Sequence, residues 1–113
     1  MSQEHEGEIT LEEFKKVKLV VGKVLEVRDH PGADKLCILK VDTGDRVRQL
    51  VAGLKPYMDI SKLEGMEVVV VANLRPAVLR GERSEGMLLA ALRDEELAVI
   101  TTHRPIGAGS AVM

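Results

Sequence analysis

The chain has 113 residues, of which 45% are apolar and 30% are charged, and its formal net charge is −2. This size suits one domain with one core, and a single cysteine, Cys37, excludes an internal disulfide and a cysteine-rich zinc site. One Phe, one Tyr and no Trp exclude single-strand binding through a row of stacking rings.

The chain begins with a polar, acidic stretch that lacks periodicity. We therefore predict a flexible acidic head over residues 1–9 and a single domain over residues 10–113. Thr10 followed by Glu13 matches a capping box, which predicts a short helical turn at the start of the domain. Residues 15–93 hold all but one of the lysines and arginines, so the body of the chain is basic. Such asymmetry suits a polyanionic partner, although a solvated surface of mixed charge is the alternative.

Five strand-like segments follow and predict an all-β fold with short helices. In the long first segment, Gly22 marks a change of apolar phase and suggests a bulge that bends the strand. A tight turn over residues 42–45 joins the second and third strands as a hairpin, and residues 55–65 predict a loop with a short helix. The predicted strands span residues 17–28, 35–41, 46–52, 66–72 and 87–92, with a further short segment at 97–101.

This order of elements is typical of a five-stranded Greek-key OB-fold barrel, here followed by a C-terminal extension. Three strands, a short helix and two more strands, with a long bent first strand, all agree with it. A β-sandwich is the main alternative, but that fold gives no reason for a helix between the third and fourth strands.

Catalytic groups do not converge anywhere in the sequence. His30, Asp29 and Asp34 share one loop, and without partners from a second loop they are more typical of a turn than of a metal site. No glycine-rich phosphate loop is present, and no base accompanies Ser84. We predict a binding protein that is not an enzyme and that uses no cofactor and no metal. No apolar run reaches the ~20 residues that span a bilayer, so we expect a cytoplasmic protein without a membrane partner.

The loop after the fourth strand is densely cationic. It carries Arg75, Arg80 and Arg83 between two apolar strands, which is a poor way to build a core and a good way to present guanidinium groups to a polyanion. Because aromatic rings are few, a folded RNA recognised by shape and phosphate contacts is favoured over a single strand.

Further basic residues accompany the second and third strands. Arg46 and Arg48 are two residues apart, so we predict that they project from one face of the third strand, near Lys35 at the start of the second. If these side chains converge with the loop arginines, they form a groove that tracks phosphates. For Arg46, a simple role in solvating the surface is an equal alternative.

Several separated motifs resemble the tRNA-binding domain shared by some methionyl-tRNA synthetases, stand-alone tRNA-binding proteins and a cytokine-like synthetase-associated domain. Residues 30–36 resemble one loop of that family, with Gly32 in place of its usual asparagine, and residues 48–54 resemble its third strand. Residues 73–76 and 84–87 resemble the two parts of its RNA-binding loop. The resemblance implies tRNA contacts by Asn73, Ser84 and Met87, with charge supplied by Arg75 and Arg80.

The resemblance also implies a homodimer that grips the outer corner of tRNA. The resemblance implies one of two roles. The chain is either a separate β subunit or appendage of methionyl-tRNA synthetase, with the catalytic chain of that enzyme as a second partner, or it is a free tRNA-binding protein. The apolar stretches 98–100 and 106–112 suit an edge covered by a second subunit, although they could equally cover their own barrel. The alternative function is that of an export-associated chaperone with the same fold, which binds peptides.

Overall fold

The computed structural model describes residues 7–113, and the first six residues of the predicted acidic head lie outside this range. The domain begins with α1, Leu11–Phe14, and the predicted capping box is confirmed. The Thr10 hydroxyl accepts a hydrogen bond from the Glu13 amide, and the Glu13 carboxylate accepts one from the Thr10 amide. No residue of α1 is buried.

Nine strands and a short 3₁₀ helix at Ile60–Leu63 follow within the described residues. Five of the strands form one antiparallel sheet in the order β3-β2-β1-β4-β7, which curls into a nearly closed barrel. The predicted OB-type barrel is confirmed. The strands are β1 Leu19–Asp29, β2 Cys37–Asp42, β3 Val47–Ala52, β4 Glu67–Val71, β5 Ala77–Leu79, β6 Glu82–Ser84, β7 Met87–Leu88, β8 Ala90–Arg93 and β9 Glu96–Val99.

The core of the barrel is aliphatic. Leu39 and Val41 of β2 and Val68 and Val70 of β4 are completely buried, as the apolar runs of those segments predict. Cys37 is also completely buried, and burial raises the pKa of its thiol. It therefore packs as a small hydrophobic residue.

Gly22 is required by packing rather than by a bulge. A Cβ atom at this position would lie 2.5 Å from Val41 Cγ1 and 2.9 Å from Val70 Cγ2, so only glycine fits where β2 and β4 both approach β1. The irregularity in the β1–β2 pairing lies between Val24 and Glu26. The predicted position of the bulge at Gly22 is therefore wrong.

The predicted fifth strand over residues 87–92 is also wrong as a single element. β7 pairs with β4 in the barrel, whereas β8 pairs with β9 in a separate hairpin. Leu89 separates them: its amide bonds to the Val69 carbonyl, and its carbonyl accepts from the Ile100 amide. The chain therefore leaves the barrel at this residue.

The C-terminal tail covers its own barrel. The Gly109 amide donates to the Val21 carbonyl at 2.7 Å, and the Val112 amide donates to the Leu19 carbonyl at 3.1 Å. The sequence left open whether this stretch covers its own barrel or meets a second subunit. For the backbone of residues 109–112, the structure shows contact with its own barrel.

Candidate nucleic-acid interface

Residues 73–86, which we call the arginine loop, contain a hairpin made of β5 and β6. Its tip consists of Arg80 and Gly81, whose φ angles are 53° and 87°. Two successive positive φ angles define the type I′ turn, whose twist matches that of the paired strands. The segment predicted as a loop is thus an ordered hairpin with an arginine at its tip.

The loop presents positive charge that the described residues neutralise only weakly. Arg75, Arg80 and Arg83 are all exposed. Within residues 7–113, Arg75 and Arg80 have neither a hydrogen bond nor an ion pair. Arg83 Nε lies 4.0 Å from the Glu85 carboxylate, and the Arg83 side chain is 62% exposed, so this contact is weak.

The structure places Lys35 near Arg80. The two residues line one surface cleft of about 370 Å³, although they are far apart in the sequence. His30 holds this arrangement, because its Nε2 lies 3.0 Å from the Leu79 carbonyl next to the hairpin tip. The other ring nitrogen, Nδ1, accepts from the Gly32 amide at 2.9 Å, so Nε2 carries the proton and donates. This histidine is buried and structural.

Gln49 of β3 fastens the hairpin to the barrel. Its side-chain amide nitrogen donates to the Arg83 carbonyl at 2.9 Å and to the Glu82 carboxylate at 3.3 Å. Its side-chain oxygen accepts from Lys40 Nζ at 2.9 Å. Its backbone carbonyl accepts from the Glu85 amide at 2.7 Å. One residue therefore braces the arginine loop through its backbone and its side chain.

Ser84 closes the seam between β3 and the arginine loop. The hydroxyl accepts from the Val51 amide at 3.0 Å and donates to the Gly86 carbonyl at 2.9 Å, and the residue is buried. The Ser84 side chain thus satisfies the Val51 amide of β3, which has no backbone carbonyl as its partner here. Contact between Ser84 and RNA stays a prediction, and this burial favours a structural role instead.

Asn73 connects the start of the domain to the end of β4. Its side-chain oxygen accepts from the Lys18 amide at 2.8 Å, and its nitrogen donates to the Lys16 carbonyl at 2.6 Å. The residue is exposed, so contact with RNA stays a prediction, but both ends of the amide already have partners within the protein.

Arg46 and Arg48 differ in environment. Arg46 precedes β3, which begins at Val47 rather than at Arg46 as predicted, and its exposed guanidinium lies 3.1 Å from the Glu85 carboxylate. Arg48 is only 7% exposed. It donates to the Thr43 hydroxyl at 2.9 Å and to the Asp45 carboxylate at 3.0 Å. The contacts of Arg48 favour a role inside the fold, and its predicted contact with RNA is untested.

Met87 lies beside Arg75 at an apolar cavity of about 450 Å³ between β3, the arginine loop and the β8–β9 hairpin. The Met87 side chain is 49% exposed, so it is available for contact. The predicted site residues therefore separate into an exposed group and an internally bonded group. The exposed group comprises Arg75, Arg80, Lys35 and Met87, and the three cationic side chains have no polar partner within residues 7–113.

Among residues 7–113, no three His, Cys, Asp or Glu side chains come together as a metal site. None of the helices in this range is long and apolar enough to cross a membrane.

The sequence profile of a family described as "Putative tRNA binding domain" matches residues 19–111. The chain belongs to this family. Over 104 residues, this chain is 49% identical to the methionine–tRNA ligase of Thermococcus kodakarensis. Those residues are 92% of this chain and 14% of that enzyme. The domain therefore spans a small part of the length of the curated relatives that it matches.

Solved structures resemble the tRNA-binding domain over nearly its whole length. A methionyl-tRNA synthetase-related protein from Pyrococcus horikoshii has a TM-score of 0.88 and 30% identity, over 93% of this chain and 97% of that protein. The CsaA chaperone of Picrophilus torridus has a TM-score of 0.83 and 25% identity, over 93% of this chain and 99% of that protein.

The tRNA-binding domain contains supporting residues that the sequence did not single out. Gln49, Glu85 and His30 hold the arginine loop in place, yet none was predicted as a site residue. The contacts that join them to the arginine loop or to β3 span 33 to 49 positions in sequence, so local pattern carries little signal of them. The scarcity of side-chain amides was a usable hint, because Gln49 is one of only three Asn and Gln residues in the chain.

Glu85 should make the stability of the tRNA-binding domain sensitive to acid. The hydrogen bond from the Gln49 amide, with the Arg46 guanidinium beside it, holds the pKa of the Glu85 carboxyl below its ordinary value. The stabilisation is therefore present above the unfolded pKa of about 4.3 and is lost as pH falls through the lower folded value. We expect Glu85→Gln to lower the free energy of unfolding at pH 7 by about 1 kcal/mol or less, since the pair is partly exposed.

Urea unfolding at pH 7 and pH 3 checks this prediction. The difference between parent and Glu85→Gln should shrink at the lower pH, because below the unfolded pKa the unfolded parent chain binds a proton at Glu85 more readily than the folded chain does. An equal difference at both values would contradict it. Asp45, Asp59 and Glu67 also have lowered pKa values, so they too make the parent sensitive to acid. The difference in free energy of unfolding between parent and Glu85→Gln therefore measures the contribution of Glu85, whereas the acid sensitivity of the parent alone does not.

Proposed function

We propose that this chain is a non-catalytic, cytoplasmic module that binds folded tRNA through its shape and its phosphates. The observation that supports this best is the pair Arg75 and Arg80, whose side chains have no partner within residues 7–113. Both lie in the arginine loop, and the hairpin of this loop is braced against the barrel. Guanidinium groups held in this way bind phosphates without reading bases. Membership of the tRNA-binding family makes tRNA the polyanion to test first.

The distribution of aromatic rings supports a folded RNA rather than a single strand. Phe14 and Tyr57 are each 41% exposed, and neither belongs to the arginine loop. Binding to single strands without sequence preference uses several rings on which successive bases stack.

We also propose a homodimer and an association with methionyl-tRNA synthetase. The likeness to methionine–tRNA ligases supports the second. Leu92, Ile100 and Ile106 support the first, because their exposed fractions of 57%, 40% and 54% leave apolar surface on the β8–β9 hairpin and the tail. Analytical ultracentrifugation of the chain alone and with the synthetase catalytic chain tests both.

Titration with folded tRNA, a single-stranded RNA of equal length and an unfolded peptide tests the main proposal. We expect folded tRNA to bind tightest, with an affinity that falls steeply with salt and differs little among tRNA species, since phosphate contacts dominate. A flat salt response, or a strong preference for one anticodon, would contradict it.

Peptide binding is the second candidate function. The likeness to the CsaA chaperone and the apolar cavity beside Met87 favour it. If the unfolded peptide binds more tightly than folded tRNA in the same titrations, this second function replaces the first.

Met87→Ala should affect binding more than folding. Burial of methionine normally makes truncation cost roughly 2–5 kcal/mol, but Met87 is 49% exposed, so we expect a loss of stability of about 1 kcal/mol or less. The affinity for tRNA should fall at an unchanged salt slope, because no charge is removed. Melting curves and tRNA titrations measure both effects.

The matched control for this variant is Met113→Ala, since Met113 is fully exposed at the C-terminus. Its stability and affinity should equal those of the parent. Loss of stability in Met87→Ala at unchanged affinity would show that the side chain packs and does not contact RNA.

A further inference from the structure

The apolar cavity beside the arginine loop has the character of a binding site. Leu74, Leu79 and Met87 line it, and their exposed fractions are 46%, 39% and 49%. Large apolar side chains that gather around one opening mark a binding surface, whereas singly scattered ones do not. The volume of about 450 Å³ is sufficient for a small ligand group, since such sites span roughly 300–1,000 Å³.

The charge at the cavity indicates what kind of group it takes. Arg75 lines the cavity and has no partner within the described residues, and no acidic residue lines it. A guanidinium both binds phosphate and stacks on flat rings. Apolar walls beside an unpaired cation match the chemistry of a nucleotide, which joins a flat base to an anionic phosphate.

An extended peptide matches the same site less well. A peptide that adds a strand needs the free backbone groups of a sheet edge. Along the β3 edge of this cavity, the Gln49 amide already bonds to the Glu85 carboxylate and the Val51 amide to the Ser84 hydroxyl. The unpaired cation also favours an anionic ligand over an uncharged segment.

We propose that this cavity takes one unstacked base of the bound tRNA, while Arg75 holds the phosphate beside that base. The inference rests on the proposed function. It adds a contact with a base, which a surface that binds only phosphates does not make. Bases drawn out of a stack are held between aromatic or apolar side chains. Here leucine and methionine do what aromatic rings do elsewhere, because neither Phe14 nor Tyr57 lines the cavity.

Filling the cavity tests the proposal, and β5 offers a matched pair of positions. Ala77 lines the cavity, whereas Val78 does not and is 67% exposed, as alternation along a strand requires. We expect Ala77→Trp to weaken tRNA binding about tenfold at an unchanged salt slope. Val78→Trp should stay within about twofold of the parent, although it adds the same ring to the same strand.

A second pair, from another strand that lines the cavity, guards against misfolding of the first. Ala90 of β8 lines the cavity and its neighbour Ala91 does not, and both are exposed. Ala90→Trp should reproduce the loss, and Ala91→Trp should not. Melting curves show which variants are folded, and the tRNA affinities of the folded variants are compared.

Three outcomes would overturn the proposal. In the first, the folded cavity-filling variants bind tRNA as the parent does. In the second, both members of each pair lose affinity equally. In the third, cavity filling abolishes binding of an unfolded peptide and spares tRNA. Failure of the proposed function is distinct, because the parent itself would then show no salt-dependent binding of tRNA.

Discussion

Replacing Arg75 and Arg80 together with Ala is expected to weaken tRNA binding by a few kcal/mol, since each charge-assisted hydrogen bond to phosphate is worth roughly 1 kcal/mol or more. The plot of log affinity against log salt should become shallower by about one to two units, since each phosphate contact contributes roughly 0.9. Stability should change by no more than about 0.5 kcal/mol, because both side chains are exposed and have no partners within residues 7–113.

A charge-matched control separates local binding from the effect of net charge. Lys62 and Arg104 are exposed and lie on other elements, the 3₁₀ helix and the C-terminal tail. Changing both to Ala removes the same two charges and should leave most of the affinity and the salt slope intact. If the two double variants lose affinity equally, the overall field of the protein binds RNA and the arginine loop is not the site.

Arg48→Ala is expected to cost about 2–4 kcal/mol of folding free energy. The guanidinium is buried and bonds to a buried hydroxyl, that of Thr43, and to the Asp45 carboxylate. Removing one partner of a buried, charged network costs roughly 3–5 kcal/mol. Asp45 is 51% exposed and regains water, which reduces the loss. Urea unfolding measures it.

Arg46→Ala is the control, two residues away in sequence and of the same type. The Arg46 side chain is 49% exposed, and within residues 7–113 its ion pair is with Glu85, so the loss of stability should stay at about 1 kcal/mol or less. At a temperature where both variants are folded, Arg48→Ala should bind tRNA as the parent does. A normal melting curve with reduced affinity would instead place Arg48 at the RNA surface.

The barrel was predictable because local pattern and burial agree along its strands. The apolar runs of β2 and β4 and the hairpin turn between β2 and β3 are features of neighbouring residues, and they placed these strands to within about two residues of their observed ends. The family likeness added tRNA as the expected partner of the arginine loop, which composition alone left open.

The roles of individual polar residues were less predictable, because their partners are distant in sequence. Ser84 and Arg48 belong to residue types that normally lie on the surface. Both are buried here, and they hydrogen-bond with distant or non-adjacent residues, Ser84 with Val51 and Arg48 with Thr43. The β5–β6 hairpin was missed because the first residue of its turn is Arg80, whereas glycine, asparagine or aspartate is usual there.

The conformation of Arg80 also bears on how selection has shaped this domain. A side chain at φ 53° costs roughly 1–2 kcal/mol, and glycine would remove most of that strain. Arg80→Gly should therefore raise the melting temperature, with a gain of about 0.5–1 kcal/mol, while it weakens tRNA binding. A chain selected for stability alone would hold glycine or asparagine at position 80. Arginine at this position is what a history of selection for RNA affinity would leave.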